Sequence, residues 1–232
     1  MHLVPLGTSY AYSTLIPIFE PMTQPHAPLF IAFEGIDGSG KTTQARRLAD
    51  SLTLEGTTIH LTAEPTKRTI GKMIREIFSG AAKADERVIA GLFVADRLDH
   101  ILNDQDGMLN LLRSGTTVIS DRYYLSSYAY HGVHTDMDWV IASNAMSAKL
   151  LRPDLNIFID VSPEIAMERI ASGRTGTELY ETLDNLKAVR QKYFEAFEKV
   201  RGEEKIEIIN GDRPHDEVSA DILALVSTLK VK

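Results

Sequence analysis

The sequence predicts an α/β protein, a doubly wound five-stranded parallel sheet with helices on both faces. Three observations carry that expectation. Five short apolar segments, residues 29–33, 57–62, 116–120, 155–161 and 205–209, are rich in Ile, Val, Phe or Thr. Each is followed by turn chemistry or a capping residue, as strands of a buried parallel sheet are. Longer stretches with helical spacing separate them, and such alternation calls for parallel pairing with ligands at the carboxyl ends of the strands. The 232 residues, 44% of them hydrophobic, suit one domain with a sizeable core, assigned to residues 29–232.

Taken in order, residues 1–28 stand apart. They hold five of the nine prolines (Pro5, Pro17, Pro21, Pro25, Pro28) and almost no charge. The apolar run 15–19 is too short to span a bilayer, and no basic n-region or long h-region precedes it. A disordered or surface-draped extension is expected, with Met22 as a second possible start. After strand 29–33, a helix is expected over Lys41–Leu54, ending before Gly56. A single long helix is expected over 85–113, stopped by Gly115. Ser162-Pro163-Glu164 opens another, with Ser as N-cap and Pro at the first helical position.

Composition bounds the chemistry. With no cysteine, disulfides, zinc thiolate sites and thiol catalysis are excluded, and nothing points to secretion. A net charge of −7 argues against nucleic acid as the main partner. No membrane partner is expected, and the cytoplasm is the expected location.

The strongest local signal is Gly35-Ile36-Asp37-Gly38-Ser39-Gly40-Lys41-Thr42, which fits G-x-x-x-x-G-K-[ST] between an apolar strand and a helix. Glycines let several backbone N–H groups point at one anion, and the next helix adds its positive end. Lys41 is expected at the β/γ-phosphates and the Thr42 hydroxyl on Mg²⁺. The expected ATP contacts are Gly35, Ile36, Asp37, Gly38, Ser39, Gly40, Lys41, Thr42 and Thr43. This is the phosphate-binding loop of a P-loop NTPase fold with three layers.

A regulatory NTPase and a small-molecule kinase both use such a loop. No guanine-reading Asn-Lys-x-Asp element occurs, whereas arginines stand where a second phosphate would sit. Segment 116–120 is followed by Asp121-Arg122-Tyr123. Asp121 suits a water-mediated Mg²⁺ partner, and Arg122 can lean over an acceptor phosphate. Phe93 and Arg97 share one helix face, so they suit stacking a base and holding its phosphate, or else a core ring and a solvated guanidinium.

Together these segments resemble the thymidylate kinase family of nucleoside monophosphate kinases. Residues 33–44, Phe-Glu-Gly-Ile-Asp-Gly-Ser-Gly-Lys-Thr-Thr-Gln, are similar to its phosphate-loop signature, including the unusual acid at Asp37. Asp121-Arg122-Tyr123 with Ser126-Ser127 and Ala129-Tyr130 resembles its D-R-Y…S-x-x-A-[YF] segment. Glu64-Pro65 with Gly71 and Ile74-Arg75, Phe93 with Arg97, Arg152-Pro153-Asp154, and Glu178-Leu179-Tyr180-Glu181 resemble further elements in order.

The resemblance implies transfer of the γ-phosphate of ATP to dTMP with Mg²⁺, in a homodimer. It implies Phe93 stacked on thymine, Arg75, Arg97 and Arg122 on the dTMP phosphate, and Ser126 and Ser127 at the base edge. Tyr130 would exclude a 2′-hydroxyl, Asp37 would lie near the 3′-hydroxyl and phosphate, and Glu64 and Tyr180 complete the acceptor site. Where some members carry an arginine after the acid, this chain has Gly38. The missing charge is therefore assigned to a lid at about 169–178, with Arg174 at the transition state and Arg169 on the ATP side. The catalytic set is Asp37, Lys41, Arg122 and Arg174. Lys67 or Arg68 is a candidate for compensation near the acceptor, and His131 is left outside the site. Asp160 is a rival metal partner for which capping or packing is preferred. A kinase of another monophosphate or deoxynucleoside is the alternative, as is a weakly catalytic nucleotide-binding module.

Overall fold

The computed structural model describes residues 27–173, 180 and 182–229. One five-stranded sheet contains β1 (Phe30–Glu34), β2 (Ile59–Ala63), β3 (Thr117–Asp121), β4 (Leu155–Asp160) and β5 (Ile206–Asn210). The order is β2-β3-β1-β4-β5 and every pair is parallel. The central strand β1 is buried along its whole length. Strands β2 and β5 lie at the edges, so Leu61 and Ile208 reach solvent although their segments read as apolar as the central ones.

The chain leaves β1 toward β2 and leaves β3 toward β4, on opposite sides of β1. That reversal opens a crevice beyond the carboxyl ends of β1 and β3. Register aligns Phe33 with Asp121 there. Alternation along β1 turns Phe30 and Glu34 to one face, where Phe30 packs edge-on against Tyr123 at 4.9 Å and Glu34 meets Ser126 and Tyr193.

The helices are α1 (Lys41–Leu54), α2 (Thr69–Phe78), α3 (Glu86–Leu102), α4 (Met108–Arg113), α5 (Tyr124–His134), α6 (Met137–Leu150), α7 (Pro163–Gly173), α8 (Leu183–Lys199) and α9 (His215–Leu229). Side-chain caps start three of them: Asp85 accepts from Arg87 N, Asp136 from Trp139 N and Thr182 from Asn185 N. No side chain caps α1, whose N-cap Gly40 is left-handed at φ 93°, so its first N–H groups stay open to an anion.

The single helix expected over 85–113 is two. Asn103-Asp104-Gln105-Asp106-Gly107 offers no apolar residue to continue the stripe, and its side chains compete for the backbone. Gly107 N donates to Asn103 O at 3.0 Å, and a Cβ at Gly107 would collide with the Asn103 backbone. No helix among the described residues is long and apolar enough to cross a membrane.

Candidate active site

The loop after β1 is shaped by glycines. Gly35 has φ 144°, and a Cβ there would lie 2.7 Å from Ile159 O and 2.8 Å from Ser39 Oγ, so no other residue fits. Lys41 Nζ folds back to donate to Ile36 O at 2.7 Å. Burial pushes its ammonium down to about 8. Beside it, the Thr42 hydroxyl donates to Asp121 Oδ2 at 2.5 Å. Asp121 Oδ1 is buried without a hydrogen-bond partner among the described residues.

Arg122 follows in a left-handed conformation, φ 73°, unusual for a side chain of that size. Three contacts fix it. Arg122 N donates to Phe33 O at 2.8 Å, Ser120 Oγ donates to Arg122 O at 2.7 Å, and Tyr123 N donates to Glu34 Oε1 at 3.0 Å. The guanidinium pairs with Asp37 and lies 4.8 Å from the Tyr130 ring centroid. Tyr130 Oη accepts from Asp37 N at 2.9 Å and donates to Asp37 Oδ2 at 2.8 Å. Burial raises the Tyr130 phenol, which stays protonated as that donor.

Two cavities meet at this point. One, of about 560 Å³, is lined by the loop, Thr42, Thr43, Asp121, Arg169 and His215. The other, of about 260 Å³, is aromatic and more enclosed, with Phe78, Phe93, Tyr130 and Tyr180 beside Glu64, Arg75, Ser126 and Ser127. Asp37 and Arg122 line both. A phosphate chain in the first cavity and an aromatic anion in the second would thus share a carboxylate and a guanidinium.

The sequence-derived acceptor residues converge on the second cavity, but Arg97 is committed inside the protein. It is 1% exposed; its Nε and Nη2 donate to Glu64 Oε2 at 2.8 and 2.6 Å, Nη2 to Ser127 Oγ at 3.0 Å, and Nη1 to Asn144. One Nη1 N–H remains, and Arg97 lines the second cavity. Arg75 anchors the neighbouring turn through Pro65 O at 3.0 Å and Thr66 O at 2.6 Å, next to the cis Glu64–Pro65 peptide. Arg68 pairs with Asp99 and Asp106 instead of entering the cavity. Asp160 is held by Arg190 through two bonds of 2.7 and 2.8 Å, which leaves it a structural role. Arg169 donates to Gly211 O at 2.9 Å on the phosphate-loop side. Arg174 lies outside the described residues, as do 175–178 of the expected lid and residues 1–26 of the extension.

Several participants escaped the sequence reading. Glu34 is fully buried under Arg122, with Ser126 Oγ at 2.5 Å and Tyr193 Oη at 3.1 Å, and burial raises its carboxyl to about 7. Asp96 accepts from Thr66 N and Oγ1, both at 2.6 Å, and so fixes the turn that carries Pro65. Phe78 meets Tyr180 edge-on at 5.5 Å. Its spacing three after Arg75 was the available signal. His215 and Tyr193 enter from distant elements, and nothing local marked them.

The profile described as Thymidylate kinase matches residues 33–222. The chain belongs to the thymidylate kinase family. Among its relatives, a "probable thymidylate kinase" of Pyrococcus horikoshii is 36% identical over 203 residues, covering 85% of this chain and 95% of the relative. One of Pyrobaculum aerophilum is 37% identical over 198 residues, with the same coverages. One of Thermococcus kodakarensis is 35% identical over 211 residues, covering 87% and 98%. Membership in the thymidylate kinase family makes the chain a nucleotide phosphotransferase with ATP as co-substrate.

Proposed function

We propose that the protein transfers the γ-phosphate of ATP to dTMP, giving ADP and dTDP. The observation that carries this reading is the shared wall of Asp37 and Arg122 between a phosphate-loop cavity and an aromatic one. An oxygen of the dTMP phosphate attacks the γ-phosphorus, the bond to the β–γ bridging oxygen breaks, and ADP leaves. The nucleophile is already anionic, so positioning and charge neutralisation supply the catalysis.

In this reading Lys41 and the backbone from Gly35 to Thr43 hold the donor phosphates, with Arg169 on the ATP side. Arg122 and Arg75 take the acceptor phosphate, and Phe93 stacks the base. Arg97, Glu64, Ser126, Ser127 and Tyr180 shape the base and sugar pocket. Tyr130 and Asp37 form its sugar end, where a 2′-hydroxyl would compete for their mutual bond. Mg²⁺ suits the oxygen pair Thr42 and Asp121, since Asp121 Oδ1 is buried with no partner among the described residues. Thr42 and Asp121 would hold the ion, which when bound neutralises charge on the β- and γ-phosphates.

Residues 29–232 form the kinase domain in this proposal, with 1–28 as an extension. A homodimer is included on the strength of exposed Val88, Trp139 and Met146, which lie on the mutually packed helices α3 and α6.

A coupled ADP-release assay with dTMP, dUMP, dCMP, AMP, GMP and thymidine tests the function. Highest kcat/KM on dTMP is expected, and preference for any other acceptor overturns it. ATP binding without transfer to any of them would favour a binding module.

A further inference from the structure

Thr62 and Glu64 stand two apart at the end of β2, where Glu64 N still donates to Asp121 O at 3.1 Å, so their side chains share one face. Arg97 and His100 stand three apart on α3 and share a face of that helix. The four side chains interleave. His100 Nε2 lies 2.8 Å from Thr62 Oγ1, and its Nδ1 lies 3.1 Å from Glu64 Oε1, while Glu64 Oε2 accepts from Arg97. Glu64 and Arg97 line the aromatic cavity. His100 is 3% exposed, does not line it, and meets it through Glu64.

Both ring nitrogens bond side chains of β2 and its continuation instead of the last carbonyls of α3, so helix capping does not account for His100. Packing alone does not account for it either, since leucine would fill the space without burying two nitrogens. A carboxylate only accepts, so Nδ1 carries a proton. In the neutral ring Nε2 then keeps a lone pair, which the Thr62 hydroxyl fills. Glu64 Oε2 has two donors on Arg97, whereas Oε1 has His100 alone among the described residues. The Glu64 side chain is 1% exposed, and burying a carboxylate oxygen without a donor is costly. Without the imidazole, Glu64 has to turn for a partner and the cavity wall turns with it.

We propose that His100 is a positioning residue: its Nδ1–H, on a ring oriented by Thr62, holds the Glu64 carboxylate on Arg97 and so preorganises the acceptor cavity before the monophosphate arrives. This role rests on the acceptor reading above and deepens it. None of Thr62, Glu64, Arg97 and His100 lines the phosphate-loop cavity, so the effect falls on one substrate.

His100→Leu removes both nitrogens. The expected result is a KM for dTMP raised about tenfold, equivalent to one hydrogen bond, with kcat and the KM for ATP within about twofold. His100→Gln, whose amide donates to Glu64 and accepts from Thr62, recovers most of the loss. An unchanged KM for dTMP overturns the proposal. So does a Gln variant no better than the Leu variant, or an equal change in every kinetic constant, which marks a structural role. Should the Leu variant not fold, Thr62→Val removes the ring's other anchor and is expected to raise the KM for dTMP severalfold; an unchanged value overturns the proposal. Nitrogen-15 spectra of wild-type protein read the ring itself, the His100 signals being those missing from the His100→Gln spectrum. A protonated Nδ1 supports the proposal, and a bare Nδ1 overturns it. Wild-type protein that fails to phosphorylate dTMP would sink the acceptor reading instead, so the two failures are distinct.

Discussion

At the residue scale, Arg122 and the buried carboxyl of Glu34 are joined through Ser126. A left-handed non-glycine backbone costs of order 1–3 kcal/mol and persists only where its surroundings over-determine it. Here Phe33 O and Ser120 Oγ hold the Arg122 backbone itself, and the Glu34 carboxyl holds the next amide, Tyr123 N. Glu34 also meets Ser126, which contacts the Arg122 guanidinium at 3.3 Å. Its carboxyl is raised from the ordinary 4.5 to about 7 by burial, only partly offset by Ser126 and the Arg122 charge. The folded state therefore binds this proton more tightly than the unfolded chain. The associated stability is fully present below pH 4.5 and is lost as pH rises through about 7, by ~3 kcal/mol at most. Glu34→Gln imitates the protonated group, so its stability relative to wild type is expected to improve between pH 4.5 and 7.5. Urea midpoints measured across that range check this, and a difference independent of pH would refute it.

At the scale of elements, the sequence was informative wherever one segment carried the whole signal. The helix Lys41–Leu54 and its preceding loop follow from eight contiguous residues, because glycines and a helix start act locally. The break between α3 and α4 did not follow, since helical spacing on both sides hid the turn at 103–107. The link from α3 to the turn after β2 was also hidden. Asp96 spans 30 residues to bond Thr66, and no periodicity reports such a pairing. The turn it fixes carries Pro65 and receives Arg75, so Asp96 acts on the acceptor side only. Asp96→Ala leaves a buried N–H and hydroxyl unpaired, an expected loss of ~2–3 kcal/mol in stability. The KM for dTMP should rise severalfold more than the KM for ATP. Parallel steady-state titrations of the two substrates test this, and equal effects on both would contradict it.

For the whole molecule, the sheet's reversal at β1 and β3 converts two separate recognition problems into one site. The phosphate loop of the first cavity was legible because its residues are neighbours in sequence, whereas His215 joins it from a distant element. The second cavity draws on the β2–α2 turn, α2, α3, α5 and residue 180, so beyond Phe93, Arg97 and Arg122 its membership was suggested by resemblance, and Phe78 by neither route. Arg97 shows the limit of that route: spacing put it on the Phe93 face, but its buried pairing with Glu64 and Asn144 is visible only in three dimensions. Because Asp37 and Arg122 line both cavities, one ligand should be able to occupy both at once. An adenosine joined to thymidine through an oligophosphate would fill the phosphate loop with one end and lie against Phe93 with the other. Linking the halves makes the second contact intramolecular, which can strengthen binding by 10²–10⁴ when the span is right. Calorimetry should therefore give such a conjugate a Kd at least ~100-fold below that of dTMP. A series of linkers should show one optimum phosphate number, and Arg122→Ala should remove most of the advantage by deleting the shared guanidinium. Conjugates no tighter than dTMP at every linker length would mean that the two cavities do not communicate, and direct transfer between them would then be untenable.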